Sequence, residues 1–337
     1  MSIKVIKPGL LTTVQDLGRY DYQQEGVIVS GAMDSMAMRI ANLLVSNPEN
    51  AATLEVTLQG PALYFEQDQL IALTGADMGA SINEQPVRMW RPLLVRARST
   101  LTMKTARTGC RGYISVAGGF DVPLMLGSTS TYLRAGFGGY KGRALQAGDS
   151  LNAASNLSET AKALSKQLSE EAIGDWFAQP NWTLEPQAYM VYEGEPGIRA
   201  MPGLEYALFT EVSQEGFWNN KFQVTPQSDR MGYRLLGQVL QLKEPKDLLS
   251  SAVTAGTVQV PPQGMPIILM ADRQTTGGYP RIAQVITADL PILAQVRPGL
   301  NIQFKEVSLK EAQALYLAQE AELEQLKGAL SLKLNTT

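Results

Sequence analysis

A mainly β fold, arranged as two related halves with a few helices and a C-terminal helix, is what the 337-residue sequence predicts. Three observations predict it. Most apolar segments are short runs rich in Val, Ile, Leu or Tyr and bounded by turn residues: 62–65, 70–74, 111–116, 257–260, 267–270 and 282–287. Thirty glycines and eighteen prolines punctuate them, as a barrel or sandwich with many turns requires. Helical periodicity is confined to a few places.

The first of these follows Asp34, which reads as an N-cap ahead of the stripe Ala37, Ile40, Ala41, Leu44 and Val45. Asn47 and Pro48 stop that helix. Ser308 and Glu311 form a capping box that opens the C-terminal helix. Its buried face would use Leu309, Ala312, Leu315, Tyr316, Leu323 and Leu326, with Gly328 as C-cap. Residues 151–179, rich in Ala, Ser, Gln and Glu, read as a surface helix or linker. Short matches recur in the same order along the chain. Pro8-Gly9 corresponds to Pro202-Gly203, Ser30 and Met33 to Ser228 and Met231, and Val56-Thr57 to Val253-Thr254. Ala76-Asp77 corresponds to Ala271-Asp272, and Gly112-Tyr113 to Gly278-Tyr279. The expected organisation is a first half over 1–150, a linker over 151–187, a second half over 188–306, and a helix and tail over 307–337.

Composition removes whole classes of chemistry. The formal net charge of −3 leaves no basic footprint for nucleic acid and no polybasic membrane patch. No apolar run is long enough to span a bilayer and no signal peptide is evident, so the chain reads as cytoplasmic. One cysteine, Cys110, excludes an internal disulfide and a multi-cysteine metal site; it reads as a small buried residue. There is no histidine. A Ser-His-Asp triad, a Cys-His pair and a histidine zinc site are therefore excluded, and no metal site is expected within this chain. Chemistry must come from carboxylates, arginines, tyrosines, lysines, hydroxyls and backbone amides, or from a partner.

The densest polar cluster follows the apolar run 267–270: Asp272, Arg273, Gln274, Thr275, Thr276, Gly277, Gly278, Tyr279 and Arg281. The glycine pair lets a ligand approach the backbone. The hydroxyls, the amide and the two guanidiniums suit a planar carboxylate, carbamate or phosphate. The alternative is a tight hairpin whose Asp and Thr cap their own backbone. A second cluster, Ser228-Asp-Arg-Met-Gly-Tyr-Arg234, carries Arg230 and Tyr233; its alternative is a capped turn with a local ion pair. A third holds Asp16 and Arg19, which could form a structural ion pair, and Asp34, more readily a cap than a base. Glu55 sits in an apolar strand, where alternation points it to solvent; the other reading is a buried carboxylate with a raised pKa. The stretch 136–142 lacks the flanking strand and helix of a dinucleotide loop and the Gly-Lys-Ser/Thr ending of a P-loop, and reads as a mobile loop in which Lys141 or Arg143 could touch an anion.

Taken together, the segments Val5-Ile-Lys-Pro-Gly-Leu-Leu-Thr-Thr-Val-Gln-Asp-Leu-Gly-Arg19, Ser30-Gly-Ala-Met-Asp34, Leu73-Thr-Gly-Ala-Asp77, Ser115-Val-Ala-Gly-Gly-Phe-Asp-Val-Pro123, Ser228-Asp-Arg-Met-Gly-Tyr-Arg234 and Gln274-Thr-Thr-Gly-Gly-Tyr-Pro-Arg-Ile282 resemble the KipA/PxpC (allophanate hydrolase subunit 2) family of biotin-dependent carboxyltransferases. The resemblance runs over about residues 3–305. It implies cyclophilin-like β-barrel halves. It also implies a heteromer with a KipI/PxpB-type subunit, working with a LamB/YcsF/PxpA-type subunit as an ATP-dependent 5-oxoprolinase, the ATP being shared with the partner. Within that reading Asp272, Arg273 and Tyr279 are the catalytic candidates. Gln274, Thr275, Thr276, Gly277, Gly278, Arg281, Arg230 and Tyr233 are the substrate-binding candidates, and Asp16, Arg19, Asp34 and Glu55 are further ones. Two other functions accompany the resemblance: a carboxyltransferase component using biotin carried on another protein, and a binder that antagonises a KipI-type kinase inhibitor. The chain has no biotinylation site of its own, and Pro261-Pro-Gln263 stands where some relatives carry a histidine.

Overall fold

The computed structural model describes residues 2–171, 175–185 and 194–335. The expected boundary between 187 and 188, and residues 172–174 of the stretch read as a linker, lie outside them. The chain is mainly β, with several sheets, one seven-stranded barrel and, among the described residues, five α-helices that include a long C-terminal one. It divides into two compact units: Met1–Arg19, Asp34–Met190 and Leu323–Thr337 form one, and Tyr20–Met33 and Val191–Glu322 the other.

In chain order the first unit contains β1 (Ser2–Lys7), β2 (Leu11–Gln15), α1 (Ser35–Leu44), β3 (Thr53–Thr57), β4 (Ala62–Phe65), β5 (Gln69–Asp77), β6 (Ser81–Ile82), β7 (Gln85–Pro86), β8 (Pro92–Val95), β9 (Ser99–Thr102), β10 (Thr108–Val116), β11 (Ser150–Asn152), α2 (Glu159–Glu171) and β12 (Phe177–Ala178). They make two six-stranded sheets, β11-β1-β4-β9-β6-β7 and β12-β8-β5-β10-β3-β2. Alternation puts Val5, Leu63 and Leu101 of one sheet and Val14, Leu54, Val56, Leu73 and Ile114 of the other into a shared core. The stretch read as a helix or linker supplies α2, whose Ala161, Leu164 and Leu168 are buried, and the edge strand β12, paired to β8.

The opposite face of the second sheet explains why Glu55 is 1% exposed, against the alternation reading. Thr13, Glu55, Tyr113 and Thr74 stand in register across β2, β3, β10 and β5. Their face is covered by α1, which packs on β10, β5 and β3. A polar residue at an alternating position signals the side away from the core, and here that side is capped by a helix. Hydrogen bonds hold the layer: the Thr74 hydroxyl donates to Ala37 O (2.6 Å), and the Tyr113 hydroxyl donates to Glu55 Oε2 (2.7 Å) and accepts from Asp34 N (2.8 Å). Burial pushes the Tyr113 phenol well above its ordinary pKa, and the charges of Glu55 and Asp34 add to that, so it stays a neutral donor. Asp34 is the N-cap, its Oδ1 accepting from Ala37 N at 2.9 Å.

The second unit contains β13 (Gly197–Pro202), α3 (Glu211–Asn219), β14 (Lys221–Val224), β15 (Gly232–Leu236), β16 (Ser251–Ala252), β17 (Thr257–Gln259), β18 (Ile267–Leu269), β19 (Thr276–Gly277), β20 (Arg281–Val285), α4 (Leu290–Ala294) and β21 (Asn301–Glu306). Seven strands close a barrel in the order β13-β20-β17-β18-β15-β14-β21, while β16 and β19 pair separately. The barrel is closed by the parallel pairing of its first and last strands, β13 and β21. Inside, Phe217 stacks on Phe304 (4.3 Å between centroids) beside Phe222, and Met33 joins this core.

The C-terminal helix α5 (Leu309–Asn335) opens on the expected capping box: Ser308 Oγ accepts from Glu311 N and Ser308 N donates to Glu311 Oε2. Ala312, Leu323 and Leu326 are buried, but Leu309 is 60% and Tyr316 41% exposed. Gly328 does not end the helix. Leu330 and Leu334 continue the stripe of Leu323 and Leu326, and their burial outweighs the glycine's helix penalty of about 1 kcal/mol. A Cβ at Gly328 would meet nothing within 4 Å. Gly328→Ala should therefore raise stability by about 0.5–1 kcal/mol, read as a higher urea midpoint at unchanged slope.

Candidate functional site

The polar cluster of the second unit is organised around one buried ion pair. β18 is apolar and leaves the barrel at Met270, whose N donates to Met231 O (3.0 Å); Asp272 N donates to Arg230 O (2.8 Å). This backbone pairing brings the Asp272 and Arg230 side chains together. Arg230 donates from Nε to Oδ2 (2.9 Å) and from Nη2 to Oδ1 (2.8 Å), with each side chain 5% exposed. The Ser30 hydroxyl donates to the same Oδ1 (2.7 Å), and Arg230 Nη2 donates to Gly31 O (2.7 Å). Ser30 has φ +60°, a left-handed backbone that costs a residue with a Cβ about 1 kcal/mol, and these anchors hold it there. Asp272 and Arg230, expected at the ligand, are thus committed to each other.

Other candidates are also committed. Tyr233 lies in the barrel core with its hydroxyl directed to Ala294 O and Val296 O (3.4 Å each). Arg281 forks onto Glu205, Nε to Oε2 at 2.7 Å and Nη2 to Oε1 at 2.5 Å, and its backbone N adds a third bond to that carboxylate. The Arg281 hydrogen bonds hold Glu205 below the usual carboxylate pKa. In the 228–234 turn, Asp229 Oδ1 accepts from Met231 N and Gly232 N, as the capped-turn reading anticipated.

The groups left to meet a ligand lie further along the same connection. Arg273 makes no ion pair among the described residues; its Nε is buried without a hydrogen-bond partner, and Nη1 reaches Met270 O only at 3.4 Å. Burial lowers its pKa, with Tyr20 and Asp272 opposing that. Gln274, Thr276 and Tyr279 are exposed and Thr275 is half-buried. β19 pairs with β16, and Val253 N donates to Thr275 O, so residues 243–253 form a strap along the motif. Gly278 admits that strap, since a Cβ there would stand 3.2 Å from Leu248 O, while one at Gly277 would stand 2.4 Å from Gln259 Nε2 of β17. Under the strap lies a cavity of about 580 Å³, bounded by Phe209, Leu240, Leu248, Pro261 and Tyr279 and also lined by Gln241, Lys246 and Asp247. Sequence reasoning missed the last three; no short-range pattern ties 241–247 to 277–280.

The N-terminal candidates belong to the first unit. The Asp16 carboxylate accepts from Ser128 Oγ (2.7 Å), Thr129 N (2.6 Å), Ser130 Oγ (2.5 Å) and Gly18 N (2.8 Å). Arg19 is fully buried, donates to Met125 O and Ser130 O, and lies over the Phe137 ring. The 136–142 stretch is not a loose anion loop. Cβ atoms at Gly138, Gly139 and Gly142 would stand 2.1, 1.9 and 1.9 Å from Ser130 O, Thr131 Oγ1 and Gly136 O, so the glycines serve tight packing. Arg143 is held by Asp149 in a two-point fork. Cys110 is buried. Among the described residues no group of three or more acidic or cysteine side chains is placed to hold a metal, and no helix is long and apolar enough to cross a membrane.

Residues 25–306, which include the buried ion pair and the cavity lining, match the family described as carboxyltransferase domain, subdomain A and B. The chain belongs to the carboxyltransferase-domain family. Within it, the chain is similar to the 5-oxoprolinase C subunit of Haemophilus influenzae, 44% identical over 315 residues and 94% of each chain. It is equally similar to the 5-oxoprolinase C subunit of Escherichia coli, 44% identical over 96% of this chain and 97% of that one. The crystal structure of the K. lactis urea amidolyase matches with a TM-score of 0.84 at 30% identity, over 96% of this chain and 20% of that protein, so this carboxyltransferase-domain chain spans about a fifth of it.

Two outcomes follow from the ion pairs. Asp272→Asn strips the charge partner from a guanidinium that is almost wholly buried, and should cost about 3–5 kcal/mol in urea unfolding; a joint Arg230→Met and Asp272→Leu replacement should recover most of it. Glu205 has a lowered folded-state pKa, so its stabilisation is present above about pH 4.5 and is lost as pH falls through the folded value. Glu205→Gln should flatten the fall of the urea midpoint below that pH.

Proposed function

We propose that the chain acts as the C subunit of an ATP-dependent 5-oxoprolinase, opening 5-oxoproline to glutamate together with a KipI/PxpB-type and a LamB/YcsF/PxpA-type subunit. The observation that carries this is the 44% identity extending over 94% or more of both chains for two 5-oxoprolinase C subunits. A carboxyltransferase component using biotin on another protein is the second reading, favoured by the 30% identity to the urea amidolyase. We also read the two units as related cyclophilin-like halves; the placement of Pro8-Gly9 just after β1 and of Pro202-Gly203 at the end of β13 supports this.

In the first reading the division of labour follows from what the side chains have left to offer. Asp272 and Arg230 position the connection. Arg273 orients the anionic intermediate, and Thr275, Thr276, Tyr279 and the amides at Gly277 and Gly278 face the charge that develops on its oxygens. The triphosphate is assigned to the shared complex, because the cavity lining carries one cation, Lys246, beside one acid, Asp247. Purified pair plus third subunit, supplied with 5-oxoproline and ATP, should release glutamate, and Arg273→Ala should cut that rate by about 100-fold at unchanged thermal midpoint. Unchanged ATP-dependent glutamate release in the Ala variant would remove Arg273 from the site.

A further inference from the structure

Resting on that reading, we propose that the cavity under the 243–253 strap holds the cyclic amide itself, with Lys246 receiving its carboxylate and Asp247 its ring N–H. Four observations lead there. The cavity volume, about 580 Å³, lies in the range of small-molecule sites, and its walls are largely Leu, Val, Phe and Pro, which suit ring methylenes. Lys246 and Asp247 line the cavity, are exposed, and make no ion pair or hydrogen bond among the described residues, so both are accessible to a ligand. Tyr279 keeps its hydroxyl unbonded among the described residues, its carbonyl alone being engaged by Gln259, and Gln241 is bonded only through its backbone. Finally, the strap that carries Lys246 and Asp247 is pinned by β16–β19 pairing to the segment ending in Tyr279, so both sets of polar groups are presented to one space.

The set of polar groups selects the ligand class. A polyphosphate carries several negative charges and would meet a single cation. A neutral apolar ligand would leave the lysine and the aspartate unused. A five-membered lactam bearing a carboxylate uses all of them: anion to Lys246 Nζ, ring N–H to the Asp247 carboxylate, ring carbonyl to the Tyr279 hydroxyl or Gln241 amide.

The test is ligand-observed NMR titration of the assembled complex with 5-oxoproline and with 2-pyrrolidone, the same ring without its carboxylate. Lys246→Met should weaken 5-oxoproline about 10- to 100-fold, the loss of one charge-assisted hydrogen bond, and leave 2-pyrrolidone unchanged. Val239→Trp, adding bulk at a half-exposed wall, should weaken both ligands. No binding of 5-oxoproline to the wild type, or the wild-type constant in both variants, overturns the assignment. Turnover of 5-oxoproline with ATP is recorded in parallel. A wild type that turns over while both variants retain its binding constant keeps the proposed function and places the lactam elsewhere. A wild type that binds through Lys246 yet never turns over keeps the site and removes the function.

Discussion

The Asp272–Arg230 pair is the constraint on which the second unit's polar site depends. Two opposite charges at 5% exposure are stable only when each remaining lone pair and N–H is met, and Ser30 and Gly31 supply what the fork leaves over. The pair therefore fixes three stretches at once: the exit of β18, the entry to β15 and the segment around Ser30. Everything after Asp272, from Arg273 to the glycine pair and Tyr279, begins from that fixed point. An apolar replacement could match its stability.

Much of the fold was legible because its signals are local. The short β runs, the Asp34 cap and the Ser308–Glu311 box are each local signals; the cap and the box form as read, and the runs form strands, with 282–287 passing into a 3-10 turn after Val285. The failures share a physical cause. At Glu55 alternation reports which side the residue faces, while α1, ten or more residues away in sequence, decides whether that side is wet. The stop signal at Gly328 is local, whereas the burial of Leu330 and Leu334 that carries the helix past it is tertiary. In the site, sequence located the Asp272–Arg281 cluster but could not say which charges were already spoken for. Glu205 and Ser30 lie 76 and 242 residues from the groups they engage.

The absence of histidine gives the molecule a particular electrostatic character. Its buried polar layer under α1 is built from Thr, Tyr, Glu and the Asp34 cap, and its inner ion pairs are Arg–carboxylate. No side chain of the sequence has an ordinary pKa between those of the carboxylates and the thiol.

The placement of residues 20–33 in the second unit sets an order of events during synthesis. Ser30 leaves the ribosome 242 residues before Asp272, a wait of about 10–50 s at usual elongation rates. Throughout it, Met33 has no aromatic core to enter, and the barrel it belongs to cannot close until β21 arrives to pair with β13. A nascent chain thus carries an early segment whose partners are made last, and the interval is one in which that segment is open to chaperones.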